Sequence, residues 1–106
     1  MAAIFKEIIM FTSKQRSVLR GLAATITPVA QIGKGGVTEN MVESLSAALN
    51  KRELIKITVL NNAENSVREY MQELCEKLSA EPVCAIGKKI VIYKRSLDPK
   101  AEHIEF

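Results

Sequence analysis

A chain of 106 residues suits one domain around one core, and its 47% hydrophobic and 25% charged residues are ordinary for a soluble globular fold. The most apolar early stretch, residues 1–11, is broken by Lys6 and Glu7, so neither a signal peptide nor a membrane span is expected. The net charge of +3 hides a division: five bases against Glu7 in residues 1–37, eight acids against five bases in 38–85, and five bases against Asp98 in 86–100. Two basic ends around an acidic middle can fold into one basic face, which attracts a polyanion.

Residues 1–10 read as an N-terminal extension with no role in the fold. Thr12 is placed to cap a first helix, with Gln15 completing a capping box. Val18, Leu19, Leu22, Ala23 and Ile26 recur at helical spacing. Arg16 and Arg20 lie at one margin of that stripe and Lys14 at the other. Thr27-Pro28 ends the helix, because proline restricts the residue before it and donates no amide proton. Val29 to Ile32 reads as a short strand, followed by the loop Gly33-Lys34-Gly35-Gly36.

Thr38 caps a second helix, with Val37 and Val42 at the positions of a hydrophobic staple and Met41, Val42, Leu45, Ala48 and Leu49 as its buried stripe. It stops near Lys51-Arg52, where cations suit the negative end of the helix dipole. Leu54 to Leu60 alternates, with Ile55, Ile57 and Val59 on one face, and reads as a strand with one covered face. Ser66 and Glu69 form another capping box, ahead of the stripe Val67, Tyr70, Met71, Leu74, Cys75 and Leu78. Pro82 to Ile86 and Lys89 to Lys94 are two strands joined by the tight hairpin Gly87-Lys88. The polar stretch 96–106 reads as a flexible C-terminal tail.

The order α-β-α-β-α-β-β predicts an α/β (α+β) fold, one compact domain over residues 11–95. Strand–helix–strand units imply parallel pairing, and the closing hairpin must be antiparallel. The expected product is a four-stranded mixed sheet with three helices.

The glycine loop carries the most chemistry in the chain. Three glycines in Gly33-Lys34-Gly35-Gly36 remove side chains that would keep a ligand off the main chain. Their amides, the start of the helix capped by Thr38 and the mobile charge of Lys34 together favour an anion. Glycines also simply make turns, but a turn needs one or two, not three around a lysine. The spacing is not that of a mononucleotide P-loop, and the second half of a dinucleotide fingerprint is missing, so no nucleotide cofactor is expected. A nucleic-acid backbone fits better. Lys14, Arg16, Arg20, Lys88 and Lys89 are the candidates to extend the contact. No strand bears the paired aromatics that stack bases, so shape and backbone are the expected basis of recognition.

Several ordered blocks are more specific than the loop alone. They are Thr12-Ser13-Lys14-Gln15-Arg16 with Leu19-Arg20-Gly21-Leu22-Ala23; Pro28 to Gly36; Glu53-Leu54-Ile55-Lys56-Ile57; and Ile86-Gly87 followed by Ile90 to Arg95. Through them the chain, from about Phe11 to Arg95, resembles the CRM domain, the chloroplast RNA splicing and ribosome maturation family, and within it the stand-alone bacterial YhbY-like proteins. The resemblance implies a fold similar to the C-terminal domain of translation initiation factor three. It implies RNA binding through Gly33, Lys34, Gly35 and Gly36, and association with precursors of the large ribosomal subunit. Plant relatives act in intron splicing, but their additional domains are not expected in so short a chain, which favours the ribosomal role. One departure is Ser79, near the end of the third helix, where glycine is more usual.

Two other classes of function compete with this one. Catalysis lacks a constellation. The single histidine, His103, lies in the tail, Cys75 is on a core face, and Glu39 with Glu43 fits a solvated helix face. Cys75 and Cys84 are too few for a disulfide framework and lack metal-ligand spacing, so two buried thiols in a reducing cytoplasm are expected. The alternative is a protein-interaction module docking on a ribosomal or translation protein without direct RNA contact. No catalytic residue, metal, cofactor, membrane or small-molecule substrate is expected.

Overall fold

The computed structural model describes residues 12–96 and 103–104; the expected N-terminal extension and most of the expected tail lie outside the described residues. The elements, in order, are α1 (Ser13–Thr25), β1 (Ala30–Ile32), α2 (Glu39–Arg52), β2 (Leu54–Val59), α3 (Val67–Leu78), β3 (Glu81–Ile86) and β4 (Lys89–Tyr93). The capping signals lie where the sequence puts them. Thr12 and Gln15 close a capping box on α1, Ser66 and Glu69 close one on α3, and the Thr38 hydroxyl accepts the Met41 amide at 3.1 Å.

The sheet order is β1-β2-β4-β3. β1 and β2 pair in parallel, and β4 pairs antiparallel with both β2 and β3. The expected mixed sheet with three helices is therefore present, with one difference. The strands joined by α3, β2 and β3, run in the same direction but do not pair, because β4 lies between them. The reason is burial. Ile90, Val91, Ile92 and Tyr93 are all buried, and a strand apolar on both faces needs a central place. Pro82, which cannot donate to a ladder, suits the edge that β3 takes.

Helices cover both faces. α2 and α3 close one face over Ile32, Ile55, Ile57, Ile90 and Ile92, with Leu45, Leu49, Tyr70 and Leu74 from the helices. On the other face α1 places Leu19 and Ala23 against Leu54, Val83, Val91 and Tyr93. β2 thus has its second face covered at its Leu54 end, which its alternation alone does not reveal. A register shift between Pro82 and Cys84 adds a residue to β3. This bulge turns Val83 and Cys84 toward α1 together, and Val83 joins the smaller core.

Ser96, His103 and Ile104 belong to the stretch expected to be a loose tail, and all three engage Glu53. The Glu53 carboxylate accepts from the Ser96 amide at 2.6 Å and the Ile104 amide at 2.7 Å, and lies 2.5 Å from His103 Nδ1. The Ser96 hydroxyl donates to the Asn50 carbonyl. Polarity of sequence does not mark this anchoring, because the partner is a single buried acid 43 or more residues away.

Candidate nucleic-acid interface

The glycine loop follows β1 directly and turns on itself, the Gly36 amide donating to the Gly33 carbonyl at 3.0 Å. Gly36 has φ +68, a left-handed conformation that glycine adopts without strain, and Tyr70 stands about 4 Å from where its Cβ would lie. Gly35 meets nothing within 4 Å of that position. Lys34 and Gly35 are both exposed. Main chain at the loop tip is thus open to a ligand, with the N-terminus of α2 beginning a few residues later.

Neighbouring segments fix the loop from beneath. The Leu60 amide donates to the Ile32 carbonyl at 2.8 Å, tying the exit of β2 to the entry of the loop. A Cβ at Gly33 would lie 3.5 Å from Asn62 Oδ1 and from a Leu60 methyl. The Tyr70 hydroxyl, beside Gly36, accepts the Asn65 amide at 3.2 Å. Tyr70 is a core residue, as its place in the helical stripe implies, and its polar tip also links the two loops.

Sheet topology gathers the cations. Because β1, β2 and β3 run in one direction, the glycine loop, the segment after β2 and the hairpin at Gly87-Lys88 share one end of the sheet. The Val59 amide donates to the Lys88 carbonyl at 2.7 Å, joining the hairpin to that end. Gly87 has φ +57, as a two-residue hairpin with glycine first requires. Lys34, Lys88 and Lys89 therefore stand on the same end, all exposed. None of the three makes an ion pair with a carboxylate among the described residues. Glu39, exposed in the first turn of α2, is the acid nearest in sequence.

The α1 cations divide. Arg20 is exposed, and it joins Arg16 and Lys56 in the electrostatic surroundings of Cys84 on β3. The Arg16 guanidinium is held by the edge strand, donating to the Val83 carbonyl at 2.5 Å and the Pro82 carbonyl at 3.3 Å. Lys14, five residues before the buried Leu19, lies on the outer side of the helix, away from the sheet. Lys56 is a cation that the sequence analysis did not single out. It sits on the β2 face opposite to that of Ile55, Ile57 and Val59, half-buried and paired with Val91 of β4. Its signal is a lysine breaking the apolar register of a central strand.

Burial raises the thiols. Cys75 is pushed up to about 12 by burial and by Glu81 and Glu76. Cys84 is also raised by burial, although Arg20, Arg16 and Lys56 oppose the shift. Among the described residues no group of histidine, cysteine and acids is arranged to hold a metal ion, and no helix is long and apolar enough to cross a membrane. A surface hollow lies at the far end of the sheet, around Thr27, Pro28, Val29, Ala48, Lys51 and Arg52. That hollow is not the glycine loop, and a phosphate held by exposed amides needs no deep cavity.

Fold and loop together define an α+β domain of four strands and three helices, with a glycine turn between a sheet strand and a helix. The chain belongs to the CRS1 / YhbY (CRM) domain family, which matches residues 11–94. It is 42% identical over 91 residues to a Bacillus subtilis protein named Probable RNA-binding protein YqeI, covering 86% of this chain and 95% of that one. It is 31% identical over 91 residues to a Haemophilus influenzae protein named RNA-binding protein, covering 86% and 92%. A hypothetical protein of Staphylococcus aureus, solved in solution, superposes with a TM-score of 0.71 at 44% identity, over 90% of this chain and all of that one.

Proposed function

We propose that this protein binds RNA by its phosphate backbone, with Gly33, Lys34, Gly35 and Gly36 as the grip, and that its target is ribosomal RNA in precursors of the large subunit, whose assembly it assists. The reading is of a cytoplasmic binding protein, not an enzyme. One observation carries the grip: open main chain at Gly35 lies at the same sheet end as Lys34, Lys88 and Lys89, none of them paired with an acid among the described residues. Relatives named RNA-binding proteins support RNA as the polyanion. The ribosomal part follows from the resemblance to stand-alone bacterial members of the family.

The test is Lys34→Glu. RNA affinity at low salt should fall by about tenfold or more while the melting curve is unchanged, since reversing a charge at an exposed tip touches no packing. Unchanged affinity with a normal melt removes the loop from the interface. For the target, crosslinking in cells followed by sequencing of the attached RNA should return large-subunit ribosomal RNA, with the protein sedimenting in immature particles. A second reading, docking on a ribosomal or translation protein, draws on Val18 and Leu22, exposed by 37% and 41% one turn apart on α1. It predicts association that survives nuclease treatment, whereas RNA binding predicts its loss.

A further inference from the structure

α1 does not cover its whole face of the sheet. It runs from β3, where Arg16 holds the Pro82 and Val83 carbonyls, toward the start of β2, where Leu22, Ile26 and Leu54 line one groove. Beneath it Tyr93 and Leu54 pair and are buried. The next cross-strand row, Cys84, Val91 and Lys56, is partly covered. The last row is open. Ile86 pairs with Lys89, Lys89 with Thr58, and Thr58 with Gln31, so the four side chains line up across all four strands on this face. Ile86 is 57% exposed, Lys89 and Gln31 are exposed and Thr58 is half-buried.

We infer that this row is a platform for single-stranded RNA, on which nucleotides next to the gripped phosphate lie. The inference rests on the reading of the glycine loop given above. Continuity supports it: Gln31 precedes Ile32 and Gly33, so the row ends where the loop begins. Charge supports it as well, since the row contains no acid, and Lys89, Lys88, Lys56 and Arg20 make no ion pair among the described residues. The row spans three strand spacings, about 14 Å. Its chemistry is an aliphatic side chain, an ammonium that donates to the Thr58 hydroxyl at 2.9 Å, and a carboxamide. These offer donors, acceptors and an apolar surface to base edges and 2′-hydroxyls. Bases of a duplex are stacked inside it and cannot spread over such a row, whereas an unpaired strand can. With no aromatic ring in the row, hydrogen bonding and aliphatic contact replace stacking.

The experiment compares a short oligouridylate with a blunt RNA duplex of equal phosphate count, over a salt series. The variants are the double substitution Gln31→Ala with Ile86→Ala, and Lys34→Glu. Both row positions are exposed, and a melting curve confirms folding. The row variant should bind oligouridylate about tenfold more weakly with an unchanged salt slope, because the lost contacts are not to phosphate, and should bind duplex like the wild type. Lys34→Glu should weaken both RNAs. If the row variant binds oligouridylate as the wild type does, or weakens on both RNAs equally, the platform is overturned while a defect in Lys34→Glu still upholds the grip. A wild-type protein that binds neither RNA overturns both.

Discussion

Glu53 is fully buried, has φ 65, and receives its hydrogen bonds from the C-terminal segment. Burial raises its carboxyl, but hydrogen bonds from His103, Ser96 and Ile104 and the charge of His103 outweigh burial and hold it below the usual carboxylate range. A depressed acid means the folded state binds fewer protons than the unfolded one. Its contribution is complete above the unfolded carboxylate value and is lost as pH falls through the lower, folded value. Glu53→Ala should therefore cost about 3 kcal/mol near neutrality, from two amides left unpaired in a buried site. Denaturant titrations across the acid range should also show a flatter pH dependence for the variant. Ser79 is the second strained position, at φ 54 and ψ 41 in the cap of α3. Ser79→Gly should stabilise by about 0.5–1 kcal/mol in chemical denaturation, since glycine takes the left-handed conformation without cost.

At the scale of elements, α1 is held by Leu19 and Ala23 in the smaller core and by one guanidinium on the edge strand. Arg16 donates to the Pro82 and Val83 carbonyls of the edge strand β3, and Val18 and Leu22 stay exposed. Arg16→Ala should cost about 1 kcal/mol of stability. Arg20→Ala, one turn on, should leave stability within about 0.5 kcal/mol and lower the RNA salt slope by about one phosphate contact or less. The pair separates two roles that sequence spacing treats alike. The α2 entrance differs from the other two in a related way. α1 and α3 have a side chain at the third position reaching back to the cap, whereas α2 has Met41 there, which cannot do so. The Thr38 hydroxyl still caps the Met41 amide, but the Thr38 amide lacks the return bond that the other two caps have.

The whole molecule places Lys34, Lys88 and Lys89 on one end of the sheet, with Arg20 and Lys56 on the adjoining face. Four phosphate contacts to a single strand correspond to a log–log salt slope of about −3, and a slope near zero in filter-binding or fluorescence titrations would rule out a backbone interface. This arrangement depends on parallel order. If β3 ran the other way, the hairpin lysines would sit at the far end, beside Lys51 and Arg52.

All seven described elements, the capping residues, the glycine loop and its lysine could be read from the chain, because each rests on contacts within a few residues. Membership of the family was legible too, through blocks of local sequence. Strand order was not, since the apolar run Ile90 to Tyr93 marks a strand covered on both faces but does not say which strands flank it. Nor were the anchoring of Ser96, His103 and Ile104 on Glu53, the diversion of Arg16 to the edge strand, the outward turn of Lys14, and the arrival of Lys56 near Cys84. Each is an interaction between groups far apart along the chain, and local periodicity gives a residue's face without naming what will pack there. The amino-acid sequence settled what the chain is made of and how each segment coils; folding in three dimensions decided which charges meet, because that depends on the path of the backbone between them.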